Sequence, residues 1–396
     1  MSANAAWDRH LDPTGAELVT HRRAAQAHDL VVVGASAGGV EALQRLVADL
    51  PADLPACVLV VLHLPRSGGS SVLADILARA SALPVRTAVD GEPLTPGIVL
   101  VAPPERHLLV ADGRVALSSG PHEGGHRPAI DPLFRSAAYS HASRVIGVVL
   151  TGNLDDGSAG LVSVARYGGR AVVQDPLDAD FKGMPTNALR AVPDGQTVAL
   201  AGLGALITEI ARTPAGEPPP VDWQLDRLSR LELLSAMGSA LGPLPDDHPG
   251  IPSPYSCPDC NGVLFGVGLA EVKQFRCRIG HAYSGQTLVD KQGSAMETAL
   301  WMAVRALEER QGLARQVADS AVKGGRTWSA EHFTQIAVEA ERHAQLIRDL
   351  LVNEASRRQA SPADQGDEPT APRGDDPTAP RGDDPTAPQT LAQPVG

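Results

Sequence analysis

Asp29 to Glu41, DLVVVGASAGGVE, constrains this chain more than any other stretch. A run of β-branched and apolar residues ends in Gly-Ala-Ser-Ala-Gly-Gly, and an amphipathic segment, VEALQRLV, follows at once. The pattern predicts a buried parallel strand, a tight glycine turn and a helix. Ser36 then sits at the carboxyl end of the strand and the first turn of the helix, where backbone N–H groups are unpaired and the dipole favours negative charge. A serine so placed suits attack on a carbonyl, because the resulting oxyanion faces those N–H groups. A phosphate-binding turn is the competing expectation. Gly34, Gly38 and Gly39 do not fit G-x-G-x-x-G, and no Lys-Ser/Thr follows as in a P-loop. The G-x-S-x-G elbow does not describe a helix that begins at a glycine pair.

From Asp29 to about residue 210, apolar runs alternate with helical patterns. Strands are expected at 57–63, 97–103, 107–117 (a hairpin about Asp112-Gly113), 144–152 and 170–175. Helices are expected at 70–80, 131–140 and 158–167. This alternation implies an α/β fold, a doubly wound and mostly parallel sheet with helices on both faces. Aromatic residues are 3% of the chain, so its core rests on Val, Leu, Ile and Ala. The net charge of −12 argues against nonspecific nucleic-acid binding. No apolar run approaches the roughly 20 residues of a membrane span, and the N-terminus lacks the apolar core of a signal peptide. Four cysteines and no export signal make a reducing cytoplasm the expected compartment.

Six segments are expected: a loose leader (1–28), the α/β domain (29–212), a linker with a short helix (213–254), a cysteine-bearing unit (255–290), a helical hairpin (291–358) and a disordered tail (359–396). The tail repeats PTAPRGDD with a period of eight, and seven acids against two arginines over 361–396 give it a charge of −5. In the hairpin, Trp301, Leu307, Leu313 and Val317 are expected to pack against Phe333, Ile336, Ala340, Leu346 and Leu350. A docking surface for a partner is the sharper alternative.

Ser36, His63 and Asp156 each fall just past the end of an expected strand, on the edge that borders the ligand crevice of an open parallel sheet. A hydroxyl, an imidazole and a carboxylate meeting there form an activated nucleophile. His63 takes the proton of Ser36, and Asp156 holds the other ring nitrogen. Taken singly, each has a plainer explanation. Ser36 can cap a helix, His63 is one of twelve histidines, and Asp-Gly at 156–157 is a turn signal in itself. His107, His122, His126 and His141 are weaker candidates for the base.

The segments VGASAGG, LHLP, RPAIDPLF, LTGNLDDG and KGMPTNA occur in this order. Together, over about Asp29 to Gly204, they resemble the catalytic domain of the bacterial chemotaxis protein-glutamate methylesterase. The resemblance implies hydrolysis of γ-glutamyl methyl esters on chemoreceptor cytoplasmic helices, with glutamine deamidation as a related activity. It implies Ser36, His63 and Asp156 as nucleophile, base and orienting acid, with Asp155 the neighbouring alternative. It needs no catalytic cofactor. Backbone N–H groups at Ala37 and Asn153 are the implied oxyanion donors. The family often has threonine at position 37, methionine at 153 and glycine at 154, where this chain has Ala, Asn and Leu. Only 28 residues precede the first strand, against roughly a hundred for a receiver domain, so control by a phosphorylated receiver in cis is not expected. A non-catalytic member that binds receptor or kinase partners is the rival reading.

Cys257-Pro-Asp-Cys260 is followed by Cys277-Arg-Ile-Gly-His281. The spacing predicts a closed, structural Cys₃His zinc site in a ribbon-like unit. A redox Cys-x-x-Cys is the alternative, without a thioredoxin-like context to favour it. The expected ligands are Cys257, Cys260, Cys277 and His281.

Overall fold

A computed structural model describes residues 27–63, 72–221, 223–237, 250–269 and 272–360. Residues 1–26 of the expected leader, 70–71 of the expected helix at 70–80, 242–249 of the proline- and glycine-rich stretch and 361–396 of the expected tail lie outside the described residues.

In chain order the elements are β1 (Leu30–Ala35), α1 (Gly39–Ala48), β2 (Cys57–Leu62), α2 (Val72–Ala78), β3 (Val85–Thr87), β4 (Val99–Val101), β5 (His107–Ala111), β6 (Arg114–Ser118), α3 (Ile130–His141), β7 (Val145–Val149), α4 (Ser158–Arg166), β8 (Arg170–Gln174), α5 (Gly183–Ala191), β9 (Gln196–Val198), α6 (Leu200–Ala211) and α7 (Trp223–Ala236). They are followed by β10 (Ile251–Ser256), β11 (Val263–Leu269), β12 (Val272–Cys277), β13 (Ala282–Ser284), α8 (Gly285–Lys323) and α9 (Thr327–Ala360). The chain divides into two compact units, Met1–Leu351 and Val352–Gly396; the second contributes the last turns of α9.

The main sheet runs β3-β4-β2-β1-β7-β8-β9, with every described pair parallel. Strands buried on both faces need apolar residues at every position, and LVVVGA, CVLVVL and VIGVV supply them. Leu30 and Val32 point into a core with α3, α4 and α5, while Val31, Val33 and Ala35 point into a second core with α1, α2 and α6. The doubly wound arrangement expected from the alternation is what the structure shows. β5 and β6 form the separate antiparallel hairpin. Helix α1 begins at Gly39, after the left-handed Gly38 (φ 70°), so Ser36 precedes the helix instead of lying in its first turn.

The cysteine-bearing segment folds as an antiparallel sheet, β10-β11-β12-β13, that starts at Ile251. Its last strand runs directly into α8, six residues before the expected start of the hairpin at 291. The helical pair is antiparallel, tied by Arg315–Glu341 (2.9 Å) and by Arg348 to Glu308. Its seam differs from the expected one. Ala314, Ala318, Ala321, Ala330, Ala337, Ala340 and Ala344 are buried, whereas Trp301, Leu313, Leu346 and Leu350 are exposed. Small side chains let the helices approach closely, while Leu307, Val317, Phe333 and Ile336 of the expected seam are half-buried and Ala340 is buried as expected. Among the described residues no helix is long and apolar enough to cross a membrane.

Candidate active site

The register of β1 with β2 pairs Ala35 with Leu62, and the His63 N–H donates to the Ala35 carbonyl (3.2 Å). Ser36 and His63 therefore leave adjacent strands at the same level. On the other side of β1, the Ser36 N–H donates to the Thr151 carbonyl (3.0 Å), and Thr151 Oγ1 donates to the Ala37 carbonyl (3.0 Å). The loops after β1, β2 and β7 thus converge on the carboxyl edge of the sheet, where open α/β folds bind ligands.

His63 Nε2 and Asp156 Oδ2 are 2.7 Å apart. This occupies one ring nitrogen and leaves Nδ1 as the atom that can face a hydroxyl. No hydrogen bond joins Ser36 Oγ to His63 in this conformation. Asp156 is fixed from behind: Oδ2 accepts from the Ile130 N–H (2.8 Å) and Oδ1 from the Asp131 N–H (3.0 Å), both in the first turn of α3. Burial pushes the Asp156 carboxyl up, but the His63 ring and these two N–H groups outweigh it and hold the acid down at about 2. The helix start is seated on two glycines. A Cβ at Gly34 would lie 2.3 Å from Ile130 Cγ2, and one at Gly157 (φ 94°) 2.9 Å from the same atom. These glycines let α3 approach the sheet closely enough to reach Asp156.

Asp155, the neighbouring alternative for the acid, points elsewhere. Its Oδ1 accepts from Ser284 Oγ (2.7 Å) and Thr287 Oγ1 (3.0 Å). Asp131 Oδ1 accepts from the N–H groups of Gly157 (3.0 Å) and Gly160 (2.7 Å), and burial together with the Asp156 charge pushes its carboxyl well up.

Among the described residues, the N–H groups of Ala37 and Asn153 donate to no protein acceptor, whereas the Gly152 N–H is spent on the Phe181 carbonyl (3.0 Å). The loop from 152 to 154 is held from below by α5. The Met184 N–H donates to the Gly152 carbonyl (2.8 Å), Asn187 Nδ2 donates to the Leu154 carbonyl (2.8 Å), and Gly183 packs under the loop backbone. Leu154 has φ 60°, a left-handed conformation suited to glycine. The segment KGMPTNA, noted in the sequence without a role, is this support.

The remaining histidines divide clearly. His107 is fully buried, its Nε2 donating to the Pro121 carbonyl (2.8 Å) while Nδ1 accepts from the Ala129 N–H, which makes it a neutral structural residue. His141 is pushed down to about 3 by burial. His122 contributes its carbonyl, which accepts from the Ala282 N–H. His126 stacks on His63 with ring centroids 3.9 Å apart. Burial and the His63 ring push it down to about 4, so it stays neutral near pH 7. The sequence ranked it among the weaker candidates for the base, and nothing in its glycine-rich surroundings pointed to this contact.

The cysteine unit gathers Cys257, Cys260, Cys277 and His281, with one ligand atom from each lying within 4.8 Å of all the others. Cys260 and Cys277 Sγ are 3.7 Å apart, and His281 Nδ1 lies 3.6 Å and 3.5 Å from Cys257 and Cys277 Sγ. A tetrahedral zinc with Zn–S bonds of ~2.3 Å requires S···S edges of ~3.8 Å, so the donor set and its spacing fit the ion. The fourth cysteine, Cys57, is buried in β2.

The fold is thus an α/β domain built on an open parallel sheet, with a serine, an imidazole and a carboxylate on the loops at its carboxyl edge. Residues 31–207 are a CheB methylesterase domain, matching the family model for CheB methylesterase over that span. The chain is 45% identical over 157 residues to a Symbiobacterium thermophilum protein named protein-glutamate methylesterase/protein-glutamine glutaminase, covering 39% of this chain and 43% of the relative. It is 37% identical over 190 residues to a Methanosarcina acetivorans protein of the same designation, covering 46% of this chain and 53% of the relative. The chain therefore spans about half the length of the curated relatives it matches. It is also similar to the crystal structure of the Thermotoga maritima CheB methylesterase catalytic domain, at 32% identity, covering 46% of this chain and 97% of that chain, with a TM-score of 0.44.

Proposed function

We propose that this chain is a serine esterase that hydrolyses glutamate methyl esters on chemoreceptor cytoplasmic helices in the cytoplasm, and deamidates glutamine side chains by the same acyl chemistry. The observation that carries the reading is the 2.7 Å contact of His63 Nε2 with Asp156, one strand across from Ser36, in a CheB methylesterase domain. Ser36 Oγ attacks the ester carbonyl and passes its proton to His63 Nδ1. The N–H groups of Ala37 and Asn153 face the oxyanion. Collapse expels methoxide, which takes the proton from His63 and leaves as methanol. Water activated by His63 then attacks the acyl-enzyme, releasing glutamate and restoring Ser36. Asp156 stays ionised throughout and balances the imidazolium. With a carboxamide substrate the leaving group is ammonia.

Zinc in the Cys257, Cys260, Cys277 and His281 site has a structural role. Four protein ligands leave no open position for substrate or water.

The test is covalent capture of Ser36 by a fluorophosphonate, followed by methanol release from methylated receptor fragments. Capture is expected in the unmodified chain and lost in Ser36→Ala and His63→Ala. A chain that neither reacts at Ser36 nor releases methanol would be a non-catalytic binding member instead.

A further inference from the structure

The metal-binding ribbon is built into the back of the esterase centre at three places. The first is His281. Its neighbour Ala282 donates to the His122 carbonyl (3.4 Å) and accepts from the Gly124 N–H (2.7 Å), so β13 pairs with the loop that carries His126 onto the His63 ring. The second is the end of β13, where Ser284 and Thr287 hold Asp155, the residue before Asp156. The third is β12, which ends in Cys277. Gln274 Nε2 donates to Asp131 Oδ2 (3.1 Å), and the Asp131 N–H in turn holds Asp156. Beside Gln274, Arg276 pairs with Glu123 (3.0 Å) and Glu232 (3.4 Å), and Arg135 of α3 pairs with the same two acids. All four of these charged groups are buried. A separate domain that merely docked would leave the catalytic half satisfied without it. Here Asp131, Asp155 and Glu123 each take a donor from the ribbon segment or the start of α8.

We propose that the metal-loaded ribbon is a positioning element for the His63–Asp156 pair, so that loss of the ion from Cys257, Cys260, Cys277 and His281 loosens the loops at 122–131 and 153–160 and slows acyl transfer at Ser36. The ion takes no part in the chemistry. It fixes the ends of β12 and β13, and those strands fix the residues on either side of the acid and the loop stacked on the base. This proposal rests on the esterase and zinc readings above. It makes metal occupancy a control on the enzyme.

The test uses the full chain loaded with one equivalent of zinc. Amide hydrogen exchange is followed in peptides covering 122–131, 153–160 and, as a control, 30–35 of β1, before and after chelation. Exchange in the first two is expected to quicken about tenfold, the scale of losing a hydrogen bond to a charged group, with the β1 peptide unchanged and zinc restoring protection. Unchanged exchange at 122–131 and 153–160 with zinc gone overturns the proposal. Should chelation unfold the whole chain, quickened β1 exchange reveals it, and Thr287→Val decides instead. With zinc measured at one equivalent, Thr287→Val is expected to quicken exchange at 153–160 and to slow fluorophosphonate capture at Ser36 about tenfold. Thr287→Ser, which keeps the hydroxyl, restores both. A Thr287→Val chain that exchanges like the unmodified one overturns the coupling. If the unmodified chain is not captured at all, the esterase reading fails, while the exchange measurements still decide the coupling.

Discussion

The imidazole of His126 lies parallel to that of His63, with centroids 3.9 Å apart and planes within 3°. Two protonated rings cannot coexist at this distance at low cost. Burial together with the His63 ring depresses His126 to about 4. A histidine whose folded pKa lies below its unfolded value near 6.5 contributes stability that is fully present above pH 6.5 and is lost as the pH falls toward 4. The difference corresponds to about 3 kcal/mol. Urea unfolding at pH 7 and pH 4.5 checks this. His126→Phe, which keeps a ring on His63 but cannot titrate, is expected to lose less stability over that window than the unmodified chain. Asp156, Lys291 and His122 also act on His126 and are common to both proteins.

Asp156→Asn keeps one side-chain oxygen for the Ile130 and Asp131 N–H groups, which in the unmodified chain donate to separate oxygens, so the fold is expected to survive with the loss of one of these two hydrogen bonds. The carboxylate that orients the imidazole and balances its charge is gone. Methanol release from a methylated receptor fragment should fall about 10⁴-fold, as when the acid of such a triad is neutralised. Asp155→Asn at the neighbouring position is expected to cost far less, since its oxygen faces Ser284 and Thr287 instead of His63.

Leu154 sits at φ 60° because Asn187 and the start of α5 hold its loop there. The left-handed conformation costs a side-chain-bearing residue about 1–2 kcal/mol. Leu154→Gly is therefore expected to raise stability by about 1 kcal/mol after allowing for the greater freedom of glycine in the unfolded chain, read as an upward shift in the urea midpoint.

The four-charge cluster gives a prediction of opposite sign. Arg276→Met removes one of two buried cations facing Glu123 and Glu232, leaving two carboxylates on Arg135 alone. Breaking a buried pair by deleting one partner costs about 3–5 kcal/mol. Thermal unfolding should show a large drop in midpoint, whereas Arg212→Met, which breaks an exposed pair with Asp53, should change it little.

The central strands, the glycine turn at Ser36, the α3 and α4 helices and the three polar residues were legible because each is written in local pattern. Continuous apolar runs predict buried strands, and glycines mark where they end. The three-residue edge strands β3 and β9 were missed because one turn of alternation carries no period. The grouping of Cys257, Cys260, Cys277 and His281 could be read from spacing, but the docking of their segment against Asp131 and Asp155 could not. Gln274, Ser284 and Thr287 are ordinary polar residues until folding brings them beside partners more than a hundred positions away. The helical seam was misread because large apolar residues were assumed to face inward, whereas a close helix pair selects alanine.

The pairing of Ala35 with Leu62 carries a consequence for how this domain can vary. Side chains on a strand alternate between faces, so inserting or deleting a single residue within Leu30–Ala35 or Cys57–Leu62 would turn Ser36 or His63 toward the opposite layer of helices. The same change in the turn between α1 and β2 leaves both where they are. Length variation that keeps Ser36 beside His63 is thus confined to the loops, and a chain altered by an odd number of positions inside either strand keeps apolar residues for its core while parting these two side chains.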